Sequence, residues 1–133
     1  MTTFFVPGIA VTQGSGRATI NSHTGRAVYV PDHRKELRLW RRSVALVAGQ
    51  QRVMPLEGPV GVSLDFKLIR GKTVKRTYPT VKPDLDKLER AVLDALTGIA
   101  WLDDAQVVEV RKRKFYADGD GAGLIISIWE VTG

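Results

Sequence analysis

The chain has 133 residues, 44% of them hydrophobic and 26% charged, which excludes long-range disorder and fits a single domain over 1–133. It contains no cysteine, so disulfides, thiolate metal sites and cysteine nucleophiles are excluded together. The net charge of +6 is unevenly placed: residues 1–83 carry 14 Lys/Arg against 4 Asp/Glu, and residues 84–133 carry 6 against 10. A basic excess alone points only weakly to nucleic acid, but segregation of the signs leaves an acidic cluster for cations to neutralise.

The start, Met1-Thr2-Thr3-Phe4-Phe5, has no charged leader region, and no apolar run approaches the roughly 20 residues of a membrane helix, so a cytoplasmic protein with no membrane contact is expected. Positions 4–11 are rich in β-formers and broken by Pro7-Gly8, which predicts a first strand with a bend. A small-residue loop over 12–17 carries Arg17. Two short strands, 18–21 and 27–30, flank the turn Ser22-His23-Thr24-Gly25. Pro31-Asp32 offers a helix start with Asp32 as its cap. From 33 to 51, Leu37, Trp40, Val44, Leu46 and Val47 recur near helical period among Arg34, Lys35, Arg38, Arg41, Arg42 and Arg52, which predicts a basic amphipathic helix.

Pro55 and Gly58-Pro59 end that helix. Over 60–68 the chain alternates, with Val60, Val62, Leu64, Phe66 and Leu68 on one face of a half-buried strand. Positions 70–82 form a polar, basic loop. A second helix follows over 86–97, closed by Gly98, and strands over 106–115 and 124–131 complete the set. The turn between them includes Asp118-Gly119-Asp120-Gly121, which lacks the spacing and closing Glu of an EF-hand loop. His23 and His33 are isolated and suit surface or capping roles. This order predicts an α+β domain with a single mixed β-sheet and two main helices.

Four of the fourteen acidic residues form two tight pairs, Asp84/Asp86 and Asp103/Asp104, at the two ends of the second helix. Two carboxylates two residues apart project alike only on extended backbone, so Asp84 is expected before the helix and Asp86 near its cap. One of them capping the helix and the other favouring its dipole is the competing reading. A strand starting after Asp104 and returning beside 82–84 would bring the pairs together. Hard oxygen ligands of this kind suit Mg2+, with Mn2+ substituting, and leave room for a phosphate. For Asp103 or Asp104, the competing role is a turn cap.

Lys87 and Arg90 follow the first pair on the helix, where a cation stabilises charge developing on a phosphate; intrahelical pairing is the alternative. Arg70, Lys72, Lys75 and Arg76 near Tyr78, with Lys82, read as a loop for the DNA backbone. Arg111 and Arg113 share one face of a strand and Lys112 and Lys114 the other, again as phosphate contacts or as a charge-protected edge.

The run Lys82-Pro83-Asp84-Leu85-Asp86-Lys87-Leu88, then Asp94-Ala95-Leu96-Thr97-Gly98, then Trp101-Leu102-Asp103-Asp104-Ala105-Gln106-Val107-Val108 closely resembles the signature of the RusA family of Holliday junction resolvases. The match is dense over 82–110; upstream, Pro7-Gly8 and the Arg17 loop leading to Val28-Tyr29-Val30-Pro31 also resemble the family. The resemblance implies a RusA-like fold and a homodimeric endodeoxyribonuclease of phage or prophage type. It further implies metal-binding catalytic aspartates at Asp84, Asp86 and Asp104, with Arg90 where the family has a catalytic lysine. Asp103 is then a turn residue. Lys87 replaces the family's usual Asn, and Arg90 keeps the lysine's charge but not its titratable ammonium. The expected function is Mg2+-dependent resolution of four-way DNA junctions by paired nicks, with no cofactor beyond the metal. The alternative is a non-catalytic module binding branched DNA.

Overall fold

Period-two and helical patterns alternate along the chain, and each yields the element expected of it. The computed structural model describes residues 1–133 apart from Ser15, Asp32, His33, Arg52, Val53, Asp120 and Gly133, so the readings made of Asp32, His33 and Arg52 lie outside the described residues. Strands β1 Thr2–Pro7, β2 Gly16–Ile20 and β3 Ala27–Pro31 precede helix α1 Arg34–Gln50. Strand β4 Val60–Leu68, helix α2 Leu85–Leu96, and strands β5 Val107–Tyr116 and β6 Gly123–Glu130 follow. A short 3-10 turn, Asp104–Gln106, joins α2 to β5.

The main sheet has the order β1-β6-β4-β5 and is mixed, because β4 pairs with β5 in parallel and with β6 antiparallel. Parallel neighbours need a crossover, and α2 supplies it. The alternating face of β4 is buried as expected at Val60, Val62, Leu64 and Phe66, and Leu124, Ile126 and Ile128 of β6 join it. Helix α1 adds Trp40, Val44 and Ala48 to this core, and α2 adds Leu88, Ala91, Val92, Ala95 and Leu96. The class is therefore α+β, with two helices against a mixed sheet.

Three details differ from expectation. Strand β1 stops at Pro7, because Gly8 takes φ +126° and turns the chain away. In α1, Leu46 is 62% exposed; it lies about 200° round the helix from Val44, so Ala48 completes the buried stripe instead. Strands β2 and β3 leave the main sheet and pair only with each other, as a separate two-stranded ribbon. The residues of β2 are exposed, as are Ala27, Val28 and Tyr29 of β3. A ribbon of two strands is marginal alone, and its anchor is the preceding loop described below. Among the described residues no helix is long and apolar enough to cross a membrane.

Candidate metal and DNA site

The chain enters α2 in extended backbone, and Asp84 occupies the cap position with φ −74° and ψ 134°. A capping aspartate normally accepts a hydrogen bond from a first-turn amide. The Asp84 side chain makes none; its carboxylate faces Lys87 Nζ at 3.6 Å. A partly exposed pair of this kind is worth only about 0.3–0.5 kcal/mol, so the carboxylate is free to take a stronger cation. Asp86 sits in the first turn of α2 and is exposed.

The walls around this end are fixed by their own bonds. Lys114 Nζ donates to the carbonyls of Val81 and Pro83 at 2.7 and 2.8 Å, pinning the approach to Asp84. Lys112 Nζ meets Glu89 at 2.8 Å, tying β5 to α2. On the other side, the Gln13 amide N–H donates to the Lys87 carbonyl at 3.0 Å, and the Gln13 side chain donates to the Asp94 carboxylate. Gly14, at φ +96°, then passes so close that a Cβ there would stand 2.5 Å from the Arg90 guanidinium. The loop before the Arg17-bearing β2–β3 ribbon thus runs against the turn of α2 that carries Lys87 and Arg90. Gln13 was missed by sequence reasoning: a lone glutamine in a Gly-rich loop gives no periodic or spacing signal. A groove of about 510 Å³ lies beside Asp84 and Lys87, with Thr12, Gly16 and Glu36 among its walls.

Asp103 and Asp104 lie at the opposite end of α2. Asp103 caps the 3-10 turn, its carboxylate accepting from the Ala105 N–H at 2.9 Å. Gln106 Oε1 accepts from the N–H groups of Leu102 and Asp103, and Gln106 Nε2 donates to the carbonyls of Leu56 and Gly58. The turn role expected of Asp103 is therefore what its side chain performs, while Asp104 is exposed. Helix α2 has 12 residues, about 18 Å of length between the two Asp pairs. Strand β5 does return toward Pro83, but it starts opposite Val60 and meets the 81–83 segment only at Lys114. The return path expected to unite the pairs within one chain thus leaves Asp104 at the far end. Among the described residues, no three His, Asp or Glu side chains gather into a metal-holding group.

Residues 10–128 match the family described as Endodeoxyribonuclease RusA. The chain belongs to the RusA family. It is also similar to Uncharacterized protein YqaN of Bacillus subtilis (strain 168), 35% identical over 86% of this chain and 87% of that protein. RusA proteins are endodeoxyribonucleases acting on Holliday junctions, which places this chain among the DNA-cleaving nucleases.

Against that RusA background, the donor chemistry at Asp84 and Asp86 fits a hard divalent cation: Mg2+ is usually held by one or two carboxylates, with waters and substrate phosphate completing its shell. The cations expected to hold DNA fall into two groups. Arg70 is fastened to Asp118 at 2.8 Å and to the Arg76 carbonyl, with its guanidinium 4.2 Å above the Tyr116 ring. The hydrogen bond to Asp118 raises the Arg70 pKa, and the same bond lowers that of Asp118. Arg113 forms two bonds to Asp65 and stacks 5.2 Å from Phe115, the bond to Asp65 raising its pKa. Arg111 faces Glu109 at 3.5 Å. In contrast, Lys72, Lys75, Arg76 and Lys82 are exposed along the 70–82 loop, and Arg17 is exposed on the ribbon.

Proposed function

We propose that this RusA-family chain is a homodimeric, Mg2+-dependent nuclease, with Mn2+ able to substitute, that resolves four-way DNA junctions in the cytoplasm by paired nicks. Asp84, Asp86 and Asp104 would hold the metal. When bound, a divalent cation supplies Lewis-acid polarisation of the phosphodiester and eases deprotonation of water. Lys87 and Arg90 supply fixed positive charge for the phosphate as charge builds on it. A guanidinium suits charge stabilisation rather than proton transfer, and that is the role assigned to Arg90. Lys72, Lys75, Arg76, Lys82 and Arg17 hold the backbone of the junction arms, a charge-driven and sequence-independent contribution.

The observation that carries this reading is the contrast between the two cap positions: Asp103 spends its carboxylate on capping, and Asp84 does not. The homodimer enters because one chain separates Asp104 from Asp84 by the length of α2. A second copy, related by a two-fold axis, can set its own Asp104 beside the first copy's Asp84 and Asp86, giving two equivalent sites for two nicks. The test is a labelled four-way junction incubated with Mg2+ or with EDTA, using wild type and Asp84→Asn. Metal-dependent paired nicking by wild type alone is expected. Binding without metal-dependent nicking by the wild type would instead favour a non-catalytic junction-binding module.

A further inference from the structure

A second cleft, of about 320 Å³, adjoins the Asp84 groove and shares Ile9, Ala10, Lys82 and Pro83 with it as common walls. Its floor is apolar, built by Leu68, Val74, Pro79 and Tyr116, while Lys67, Arg76 and Lys82 line it with no carboxylate among the described lining residues. The volume lies at the small end of the about 300–1,000 Å³ typical of ligand sites. That is room for one flat aromatic group and far too little for a duplex.

The walls of the cleft are also fixed by hydrogen bonds. Lys114 fixes one wall through the Val81 and Pro83 carbonyls. Arg70, itself fastened by Asp118, fixes the other through the Arg76 carbonyl and covers the Tyr116 ring. A rigid apolar slot with a cationic rim, opening onto a phosphodiester-cutting site, suits one part of a nucleotide chain in particular. An unstacked base would fit the slot, with its flanking phosphates near Arg76 and Lys82.

Resting on the nuclease reading above, we propose that this cleft takes the nucleobase next to the scissile phosphate, turned out of its stack, and thereby selects where the junction is cut. Unstacking costs least where pairing is already disturbed, as it is at a crossover, so the slot favours junction centres over duplex arms.

The test places 2-aminopurine, in turn, at each nucleotide around the crossover and follows its fluorescence on binding the wild-type protein in EDTA. One position is expected to brighten as its base leaves the stack. Val74→Phe and, separately, Ala122→Phe fill the cleft; each is expected to abolish the brightening while junction affinity stays within about twofold. In Mg2+, wild type should cut a junction abasic at that position about tenfold more slowly than the intact one, and the filled variants should not distinguish the two. Absence of brightening at every position, or brightening unchanged in a folded filled variant, overturns the proposal. Because the fluorescence needs no cleavage, a wild type that binds and brightens yet never nicks would sink the nuclease reading and the choice of cut site, leaving the cleft as a base-binding slot.

Discussion

A mixture of two inactive variants should recover activity. In the proposed assembly each metal site combines Asp84 and Asp86 of one copy with Asp104 of the other. Octahedral Mg2+ holds its oxygens at about 2.0–2.1 Å, so ligands to one ion lie within about 4 Å of each other. The 12 residues of α2 separate the two Asp pairs of one chain by about 18 Å, several times that span. Asp84→Asn and Asp104→Asn homodimers then each lose both sites. A heterodimer of the two keeps one intact site, because the Asp104→Asn chain supplies Asp84 and the Asp84→Asn chain supplies Asp104; its other site loses both residues. Random pairing at equal amounts makes about half the dimers heterodimers, so about a quarter of wild-type sites return.

The assay is co-expression under two different tags, tandem purification of the heterodimer, and cleavage of a labelled junction in Mg2+. Purified heterodimer should nick one strand at about half the wild-type total rate and yield few paired products. Complete inactivity of a folded heterodimer that still binds junctions would refute the shared site. Activity retained by the Asp104→Asn homodimer would remove Asp104 from the mechanism altogether.

Other outcomes follow from the same geometry. Arg90→Ala should lower kcat by about 10²–10³, the usual effect of losing one charge-stabilising donor, with Arg90→Lys recovering part of it; equal loss in both variants would point to Arg90 packing against Gly14 rather than to its charge. Replacing Lys72, Lys75 or Lys82 by Ala should flatten the salt dependence of junction affinity by about 0.9 in log–log slope per lost phosphate contact, whereas Arg113→Ala, already paired with Asp65, should change the slope less; the reverse ranking refutes this division. Gly61→Ala should destabilise the fold by about 1–3 kcal/mol in thermal denaturation, because a Cβ there overlaps the Trp129 indole. The Asp118 carboxyl is held below its ordinary 3.8 by the Arg70 hydrogen bond. Its stabilisation is therefore present above about that pH and lost as pH falls through the lower folded value. The melting temperatures of wild type and Asp118→Asn should accordingly converge in acid, and a gap that widens there contradicts the pairing.

The elements and their order were legible because burial imposes a period that the sequence must obey. The alternation over β4 and the spacing of Trp40 and Val44 in α1 could not be satisfied by other conformations without exposing the apolar face. The separate ribbon was not legible, since β2 and β3 alternate well enough for either sheet. Gln13, whose bonds to Lys87 and Asp94 hold the preceding loop on α2, gives no such signal in the sequence. Likewise Arg70, Arg111 and Arg113 read as phosphate contacts because charge runs show no partners, and the partners, Asp118, Glu109 and Asp65, come from other strands, turns or the same edge.

The two Asp pairs expose a deeper limit of spacing. Residues at opposite ends of a straight helix stay a helix length apart in any single chain, however closely their motifs follow in sequence. Only a symmetry operation brings the N-terminal end of one α2 to the C-terminal turn of another, and no one-chain pattern encodes that operation. The Asp84 carboxylate that makes no cap bond at one end, the exposed Asp104 beside the capping Asp103 at the other, and the turn fastened by Gln106 are each understandable alone as local structure. In the proposed dimer they are two halves of one site that closes only when the chain meets its own copy, so that dimerisation and metal affinity would form one coupled equilibrium. Dilution below the dimer dissociation constant should then weaken metal binding and cleavage in parallel.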